Sequence, residues 1–542
     1  MADAVVSDAP RGAELVRLVV ARVTDAADTF SSFDAIRAVT PADIEKILHP
    51  QTTASTGRVV ATGLGASPGV ASGVAVFDTW RALDADDDGQ DVILVRPDTS
   101  PADDPALAVA VGVLTLRGGL TSHAAVVARG RGLPAVCGAD SVRIGDTSFT
   151  TGEGVVVREG DVISIDGSTG EVFLGSLAID DDEVPPELDL LLGWADEVRA
   201  GRLAVRANAD TPADAALARA FGAEGIGLCR TEHLFLGPDR LPLVQRIILA
   251  DGPEAEAAAL SELHRVQRAD FVELLEAMDG LPVTVRLLDL PLHEFLPDRG
   301  QLEVADARDG LDAEGVELLA ATRRWHEHNP MLGVRGVRLA VLKPDVYRMQ
   351  VRALVEAAVD RLDAGGTPRV QVMVPLVATA AELALARSWI DDEVGAVLGQ
   401  RAGELTVRVG AMVETPRAAL RAGELAAIAD FLSFGTNDLT QMTFGFSRDD
   451  VGRMLAAYLD QGLLAADPFA TLDVEGVGEL VAGGVDRARA GHPGLEIGVC
   501  GEHGGDPDSI AFFLAAGLDY VSCSPFRVPI ARLSAARAVL SV

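Results

Sequence analysis

Phe431-Leu432-Ser433-Phe434-Gly435-Thr436-Asn437-Asp438 is a short run of strand character that stops on a glycine and then presents three small polar side chains. From about residue 203 to the end, apolar β-type runs of this kind alternate with helical stretches, which is the arrangement of a (β/α)8 TIM barrel. Eight strands are predicted: Leu203 to Asn208, Gly225 to Arg230, Val283 to Asp289, Gly333 to Arg338, Val370 to Leu376, Val407 to Glu414, Phe431 to Asn437 and Ile497 to Gly501. Active sites of such barrels lie at the C-terminal ends of the strands, so the polar residues that follow each run are expected to face one another.

Those residues have a consistent chemistry. Arg230, Arg286 and Arg335, each placed at a strand end, would converge on a ligand with several anionic oxygens, because a guanidinium pairs with phosphate or carboxylate in a two-pronged geometry. Glu414 and Asp438 end adjacent strands and fit a Mg²⁺ site, since that ion takes one or two carboxylates and fills its octahedron with substrate oxygens and water. The same pair also suits bonding to neighbouring loop N–H groups. Asn437 can reach a phosphoryl or carboxylate oxygen as a neutral donor, and Gly435 and Thr436 can offer backbone N–H groups to the same ligand. Cys500 reads either as a buried structural thiol or as a proton donor poised over the ligand.

A second constellation lies upstream. Gly118-Gly119-Leu120-Thr121-Ser122-His123-Ala124-Ala125 sets a histidine where two glycines hand over to a helix-like run of small residues. Thr121 and Ser122 suit an N-cap, and a helix start offers free N–H groups and a partial positive charge to an anion. A neutral imidazole is nucleophilic near pH 7, so His123 reads either as a carrier of a phosphoryl group or as a surface histidine beside an ordinary helix cap.

With 46 basic and 81 acidic residues the net charge is −35, which argues against nucleic acid or an anionic membrane as the main partner. Lys46 and Lys343 are the only lysines, so any phosphate site is built from arginine. Cys137, Cys229, Cys500 and Cys523 are too scattered for a disulfide framework, and no uncharged apolar stretch reaches about 18 residues; a cytoplasmic location is expected. No Gly-x-x-x-x-Gly-Lys-Ser/Thr loop is present, and Gly63 to Gly69 misses the dinucleotide-loop spacing and reads as a turn.

At 542 residues the chain exceeds one compact core. Residues 1–57 read as a helical arm and linker, with a helix starting at Thr40-Pro41. Residues 58–178 carry short valine-rich runs between glycines and form a strand-rich domain with His123 on a loop. Residues 179–202 make an acidic, proline-bearing hinge and a helix, and residues 203–542 form the barrel.

With these residues in hand the chain resembles the pyruvate, phosphate dikinase family of phosphoenolpyruvate-utilising enzymes. The resemblance rests on Gly118 to Gly130, Gly225 to His233, Val285 to Phe295, Asn329 to Gly333, Leu432 to Thr443, Cys500 to Pro507 and Tyr520 to Pro529. It implies an α/β protein: a swivelling β/β/α phosphohistidine domain followed by a (β/α)8 TIM barrel that binds phosphoenolpyruvate or pyruvate. It implies that His123 is phosphorylated, that Arg230, Arg286 and Arg335 clamp phosphate and carboxylate, that Glu414 and Asp438 hold Mg²⁺, that Asn437 touches substrate, and that Cys500 exchanges a proton with the methyl carbon of the enolate. Three positions depart from the family pattern: Leu290 stands for a usual proline, and Val334 and Val337 stand for a usual histidine and cysteine around Arg335. The family's N-terminal ATP-binding region has no counterpart in this sequence, so the expected partner is a separate ATP-binding protein or another phosphoryl acceptor, and a homodimer through the barrel domain is the expected assembly. The competing readings are a sugar-transport type phosphoenolpyruvate-dependent protein phosphotransferase and a non-catalytic regulator that binds phosphoenolpyruvate or pyruvate.

Overall fold

The computed structural model describes residues 12–49, 51–52, 57–100, 103–119, 122–180, 184–232, 235, 240–250, 252–289, 291–448 and 450–541. Thr121, Leu290 and residues 181–183 of the expected hinge lie outside them. The C-terminal half closes into a barrel of eight parallel strands: Ala204–Asn208, Ile226–Arg230, Pro282–Arg286, Arg369–Val374, Val407–Val413, Phe431–Phe434, Glu496–Val499 and Tyr520–Cys523. The last strand pairs back onto the first, Tyr520 beside Ala204 and Cys523 beside Ala207. Alternation along each strand does the sorting. Val205 and Ala207 join the apolar layer under the helices, whereas Arg206 projects inward over the ring of Tyr520 at 3.9 Å.

Two expectations are corrected here. Gly333 to Arg338 is not a strand: Pro330–Leu332 makes a single 3₁₀ turn and Val337–Leu342 a short helix. Gly336 sits at φ +56, where a side chain would meet Asp289 Oδ1 at 2.8 Å; this left-handed bend cannot be carried by an extended strand. The fourth strand is Arg369–Val374, and the eighth is Tyr520–Cys523, whose four residues include a tyrosine, a serine and a cysteine and give no long apolar run. Gly63 to Gly69 is likewise not simply a turn, because Leu64–Ser67 pairs antiparallel with Ala135–Cys137 at a sheet edge.

The domain that carries His123 is built on one sheet in the spatial order Arg58–Thr62, Glu171–Leu174, Val162–Asp166, Val70–Val76, Val92–Arg96, Gly112–Thr115, Ala135–Cys137, Leu64–Ser67. The middle strands from Val70–Val76 to Ala135–Cys137 are parallel. One face packs Ile93, Val95 and Ile163 with Phe149 and Val157 of a small three-stranded sheet. The other packs Leu94 and Val113 against Ala82, Leu107, Ala125 and Ala128 of three helices. A sheet buried on both faces needs such runs of branched residues, and the small alanines let the helices lie close.

Before this domain, helices Gly12–Thr24, Ser32–Ala38 and Pro41–Leu48 form an arm. Capping boxes at Ser31/Asp34 and Thr40/Asp43 satisfy the free N–H groups of the second and third. Their apolar faces pack with Leu191 and Leu192 of helix Glu187–Arg199 and Leu533 of the terminal helix, so the arm belongs to the barrel's flank. Gln51–Thr52 then pairs antiparallel with Ile179–Asp180, so the chain enters and leaves the histidine-bearing domain through one two-stranded ribbon. Among the described residues no helix is long and apolar enough to cross a membrane.

Packing sets opposite expectations at two glycines. A Cβ on Gly498 would lie 2.2 Å from the buried Tyr520 ring, so Gly498→Ala should lower the thermal midpoint, with a loss of about 1–3 kcal/mol. Gly193 is inside helix Glu187–Arg199 with nothing within 4 Å, so Gly193→Ala should raise it, by roughly 0.5–1 kcal/mol. Thermal unfolding followed by circular dichroism measures both.

Candidate active site

The mouth of the barrel gathers charge from five of its connections. Arg230 ends the second strand and its N–H donates to Asp210 Oδ1 at 2.7 Å. Arg286 ends the third, with Nη2 3.2 Å from Glu232 Oε2 and Nη1 3.2 Å from Asp289 Oδ2. Arg335 comes from the long connection after that strand rather than from a strand of its own. It spans Asp289 Oδ1 at 3.2 Å and Asp438 Oδ2 at 2.9 Å. Val337 is fully buried and Val334 packs against the same core, so apolar anchors flank this guanidinium on both sides.

Glu414 follows the fifth strand and is 1% exposed. Its Oε1 accepts the Leu376 N–H at 2.6 Å, and Leu376 reaches that position with φ +56, the one non-glycine residue in the left-handed region among the described residues. A leucine held there is strained, and the strain serves to aim an N–H at the carboxylate. Gly435, which begins helix Thr436–Phe444, passes so close that a Cβ would meet Glu414 Oε2 at 2.8 Å. That approach brings Asp438, in the first turn of the helix, into one cluster with Asp289 and Glu414, with one oxygen of each within 4.8 Å of the others.

Counting charge decides what the cluster needs. Glu232, Asp289, Glu414 and Asp438 face Arg286 and Arg335, which leaves two negative charges uncompensated. Burial, with Asp289 and Asp438 adding repulsion, pushes the Glu414 carboxyl well above the ordinary range. Burial raises Asp289 as well, against the pull of Arg335 and Arg286. Burial opposes the charge of Arg286 and Arg335, yet the surrounding carboxylates more than offset it and both pKa values rise. A divalent cation with oxygen ligands fits this donor set and this deficit.

Around the cluster the polar groups are tightly placed. Asn437 Oδ1 accepts the Glu502 N–H at 2.9 Å. His503 is fully buried between Thr436 Oγ1 at 2.8 Å and the Pro468 carbonyl at 2.9 Å; the carbonyl must receive a proton, so Nε2 carries it and Thr436 donates to Nδ1. Gly501 leaves room for Thr436 Oγ1, which would stand 2.0 Å from a Cβ.

Cys500 is buried with Leu228, Met373, Met412 and Phe431. Burial pushes its thiol up to about 11, against the pull of the Ser433 hydroxyl. Behind Ser433 lies the phenol of Tyr520, whose pKa burial also raises. Thus Cys500, Ser433 and Tyr520 form a file of protonated groups in an apolar interior.

The upstream histidine sits at the first position of helix His123–Arg131, with Ser122 as N-cap accepting from the Ala125 N–H. Its Nδ1 is 3.0 Å from Thr99 Oγ1 and its Nε2 3.3 Å from Asp104 Oδ1. These partners belong to its own domain, so the ring is held there rather than among the barrel residues.

Arg230, Arg286, Arg335, Glu414, Gly435, Thr436, Asn437, Asp438 and Cys500 therefore converge at or just below one barrel mouth, and His123 occupies the neighbouring domain. The residue type alone marked Asp289 as a strand-end carboxylate, but its place beside Glu414 and Asp438 had no local signal. Glu232, Ser433, Tyr520, Thr99 and Asp104 were not singled out as candidates either. Of these Glu232 ends the run Cys229-Arg230-Thr231-Glu232, and Ser433 and Tyr520 lie within stretches that carry the resemblance, whereas Thr99 and Asp104 lie in none.

Comparison with known proteins gives the chain a family. The profile described as PEP-utilising enzyme, PEP-binding domain matches residues 193–540, and that described as PEP-utilising enzyme, mobile domain matches residues 89–170. The chain is 49% identical over 514 residues to pyruvate, phosphate dikinase of Rhizobium meliloti (strain 1021), covering 94% of this chain and 57% of that protein. It is 49% identical over 513 residues to the chloroplastic pyruvate, phosphate dikinase 1 of Arabidopsis thaliana (94% and 53%), and 50% identical over 518 residues to its counterpart in Oryza sativa subsp. japonica (93% and 54%). The chain spans about half the length of these curated relatives. With more than half of its residues matched by the first profile and a barrel mouth of matching chemistry, the chain belongs to the PEP-utilising enzymes.

Proposed function

We propose that this chain moves a phosphoryl group between phosphoenolpyruvate and His123, a half-reaction of the pyruvate, phosphate dikinase type. The observation that carries this reading is the barrel mouth, where three arginines and an under-compensated carboxylate cluster occur together, in a family defined by phosphoenolpyruvate. Arg230, Arg286 and Arg335 neutralise phosphoryl and carboxylate oxygens, and Asn437 with the backbone of Gly435 and Thr436 orients the ligand.

The histidine nitrogen attacks phosphorus in line, an N–P bond forms, and the bond from phosphorus to the enol oxygen breaks with its electron pair passing to the enolate. Thr99 and Asp104 fix the ring. A neutral imidazole attacks through the nitrogen that bears its lone pair, and Asp104, 3.3 Å from Nε2, faces the positive charge the ring acquires as the N–P bond forms. Cys500 then delivers its proton to the methylene carbon, giving pyruvate. Asp289, Glu414 and Asp438 would hold Mg²⁺, whose chemistry when bound is to neutralise charge on the phosphoryl and enolate oxygens.

For the phosphohistidine to serve a second partner its domain swivels away, and the ribbon of Gln51–Thr52 with Ile179–Asp180 is the natural pivot because it carries both crossings. That partner is an ATP-binding polypeptide or another phosphoryl acceptor outside residues 1–542. Exposed Leu332, Val341 and Leu342 on the barrel's long connection favour assembly as a homodimer through the barrel.

Incubating the purified chain with Mg²⁺ and phosphoenolpyruvate should release pyruvate and leave acid-labile phosphate on His123; undiminished pyruvate release by His123→Ala overturns the reading. Asp289→Asn and Glu414→Gln should each weaken Mn²⁺ binding by about 10–100-fold in calorimetry, because each removes one negative charge from the deficit. Cys500→Ala should slow exchange of pyruvate methyl protons with deuterium by about 10²–10⁴-fold, followed by NMR. The sign of the pH effect follows from the raised thiol. It stays protonated and able to donate through neutral pH, whereas proton removal from pyruvate needs the thiolate and should accelerate as pH rises toward about 11.

A further inference from the structure

The helix that carries His123 touches the barrel with its far end. Its C-cap, Gly132, adopts φ +66, and a Cβ there would stand 2.8 Å from three ring carbons of Phe526. Phe526 belongs to the single turn Pro525–Arg527 that follows the eighth barrel strand. Its ring is held from the barrel side by Phe221, centroids 5.6 Å apart, and from the arm by His49, stacked at 6.1 Å. The ring is thus a fixed platform, and the glycine lies flat against it.

Charge reinforces the same contact. Arg129, three residues before Gly132, donates Nη1 to the Ala66 carbonyl at 3.0 Å and so is anchored in its own domain. It shares with Glu502 the wall of a cavity of about 330 Å³ between the two domains. Burial would raise the Glu502 carboxyl, yet it is held below its ordinary value, with Arg129 the largest attraction, followed by Arg230, Arg448 and Arg527. The backbone of Glu502 is bonded to Asn437. The seat of the histidine helix therefore joins the loop that follows Cys500 and reaches Asn437 through one hydrogen bond.

We propose that Gly132 is a positioning residue: lacking a side chain, it lets the histidine helix settle on the Phe526 ring, and this seat, guided by Arg129 and Glu502, sets the domain in the pose from which His123 meets the ligand at the barrel mouth. The inference rests on the phosphoryl-transfer reading above for its kinetic consequence, but the seat itself is a structural claim. Gly132 lies nine residues from His123, about 14 Å along an α-helix, so a displacement at Gly132 is passed by a rigid rod to the reacting end.

The test is Gly132→Asn, because asparagine tolerates the left-handed backbone while its side chain collides with the ring. At saturating phosphoenolpyruvate and Mg²⁺, single-turnover phosphorylation of His123 should slow at least tenfold, while phosphoenolpyruvate affinity, measured by calorimetry on a His123→Ala background, stays unchanged. Gly132→Asn/Phe526→Ala should recover most of the rate. An unchanged rate in the single variant, a parallel loss of affinity, or no recovery in the double variant overturns the proposal. Spin labels at Asp146→Cys and Glu317→Cys report the seat without catalysis: Gly132→Asn should lengthen or broaden their distance distribution, and an unaltered distribution overturns the proposal. Absence of phosphohistidine in the parent chain, by contrast, counts against the functional reading, and the label distances still decide the seat. Phe526→Trp, which crowds the same contact from the barrel side, should reproduce both effects if Gly132→Asn folds poorly.

Discussion

Holding four carboxylates, three of them buried, beside two guanidiniums at the end of a closed barrel is the constraint to which the rest of this molecule answers. In a low-dielectric setting such a set is costly unless every charge is held by an opposite charge or a directed hydrogen bond. The fold meets that demand with unusual backbone: Leu376 in a left-handed conformation points its N–H at Glu414, while Gly336 and Gly435 remove side chains where Asp289 and Glu414 must pass. What is left over, a deficit of two charges, is the property that sets the mouth apart from a self-compensated salt-bridge cluster.

The opposite end of the barrel interior carries a different, mutually bonded network. Arg206 and Arg408 both bond Glu496, Gln371 bridges Arg206 and Glu496, and Thr284 donates to Gln371 at 2.7 Å. Arg206 also lies over the Tyr520 ring. This network joins six strands and is closed upon itself, so it stiffens the scaffold and presents nothing to a ligand. Between the two ends lie Ser433, Tyr520 and Cys500, protonated groups in an apolar layer. Chemistry in this barrel thus changes along its axis from a closed arginine–glutamate network to proton-holding groups to an under-compensated carboxylate cluster.

The histidine-bearing domain obeys a different rule. Its sheet is covered on both faces by its own residues, and among the described residues it meets the rest of the chain at the short ribbon and at the seat. A body with a complete core and few external contacts can change position without unfolding. The arm, by contrast, shares its apolar face with helices Glu187–Arg199 and Val528–Val539 and stays with the barrel.

Much of this was readable in the linear chain. Seven of the barrel strands announce themselves as apolar runs, and Arg230, Arg286, Glu414 and Asn437 stand at or beside their ends, because strand periodicity and strand-end polarity are local properties. The helix start at His123 and the Ser122 cap are local too. Arg335 was placed on a strand that does not exist, since Gly336 and Pro330 bend that segment away, and the short strand Tyr520–Cys523 was passed over because its four residues mix apolar with polar and make no long apolar run. The grouping of Asp289 with Glu414 and Asp438, the pairing of Thr99 and Asp104 on the two ring nitrogens, the thiol raised by burial, and the contact of Gly132 with Phe526 each join residues far apart in sequence. Residue order determined which elements form and which side chains stand at their ends; barrel closure and domain docking decided which charges share a site, since distance and burial arise only when the chain is folded.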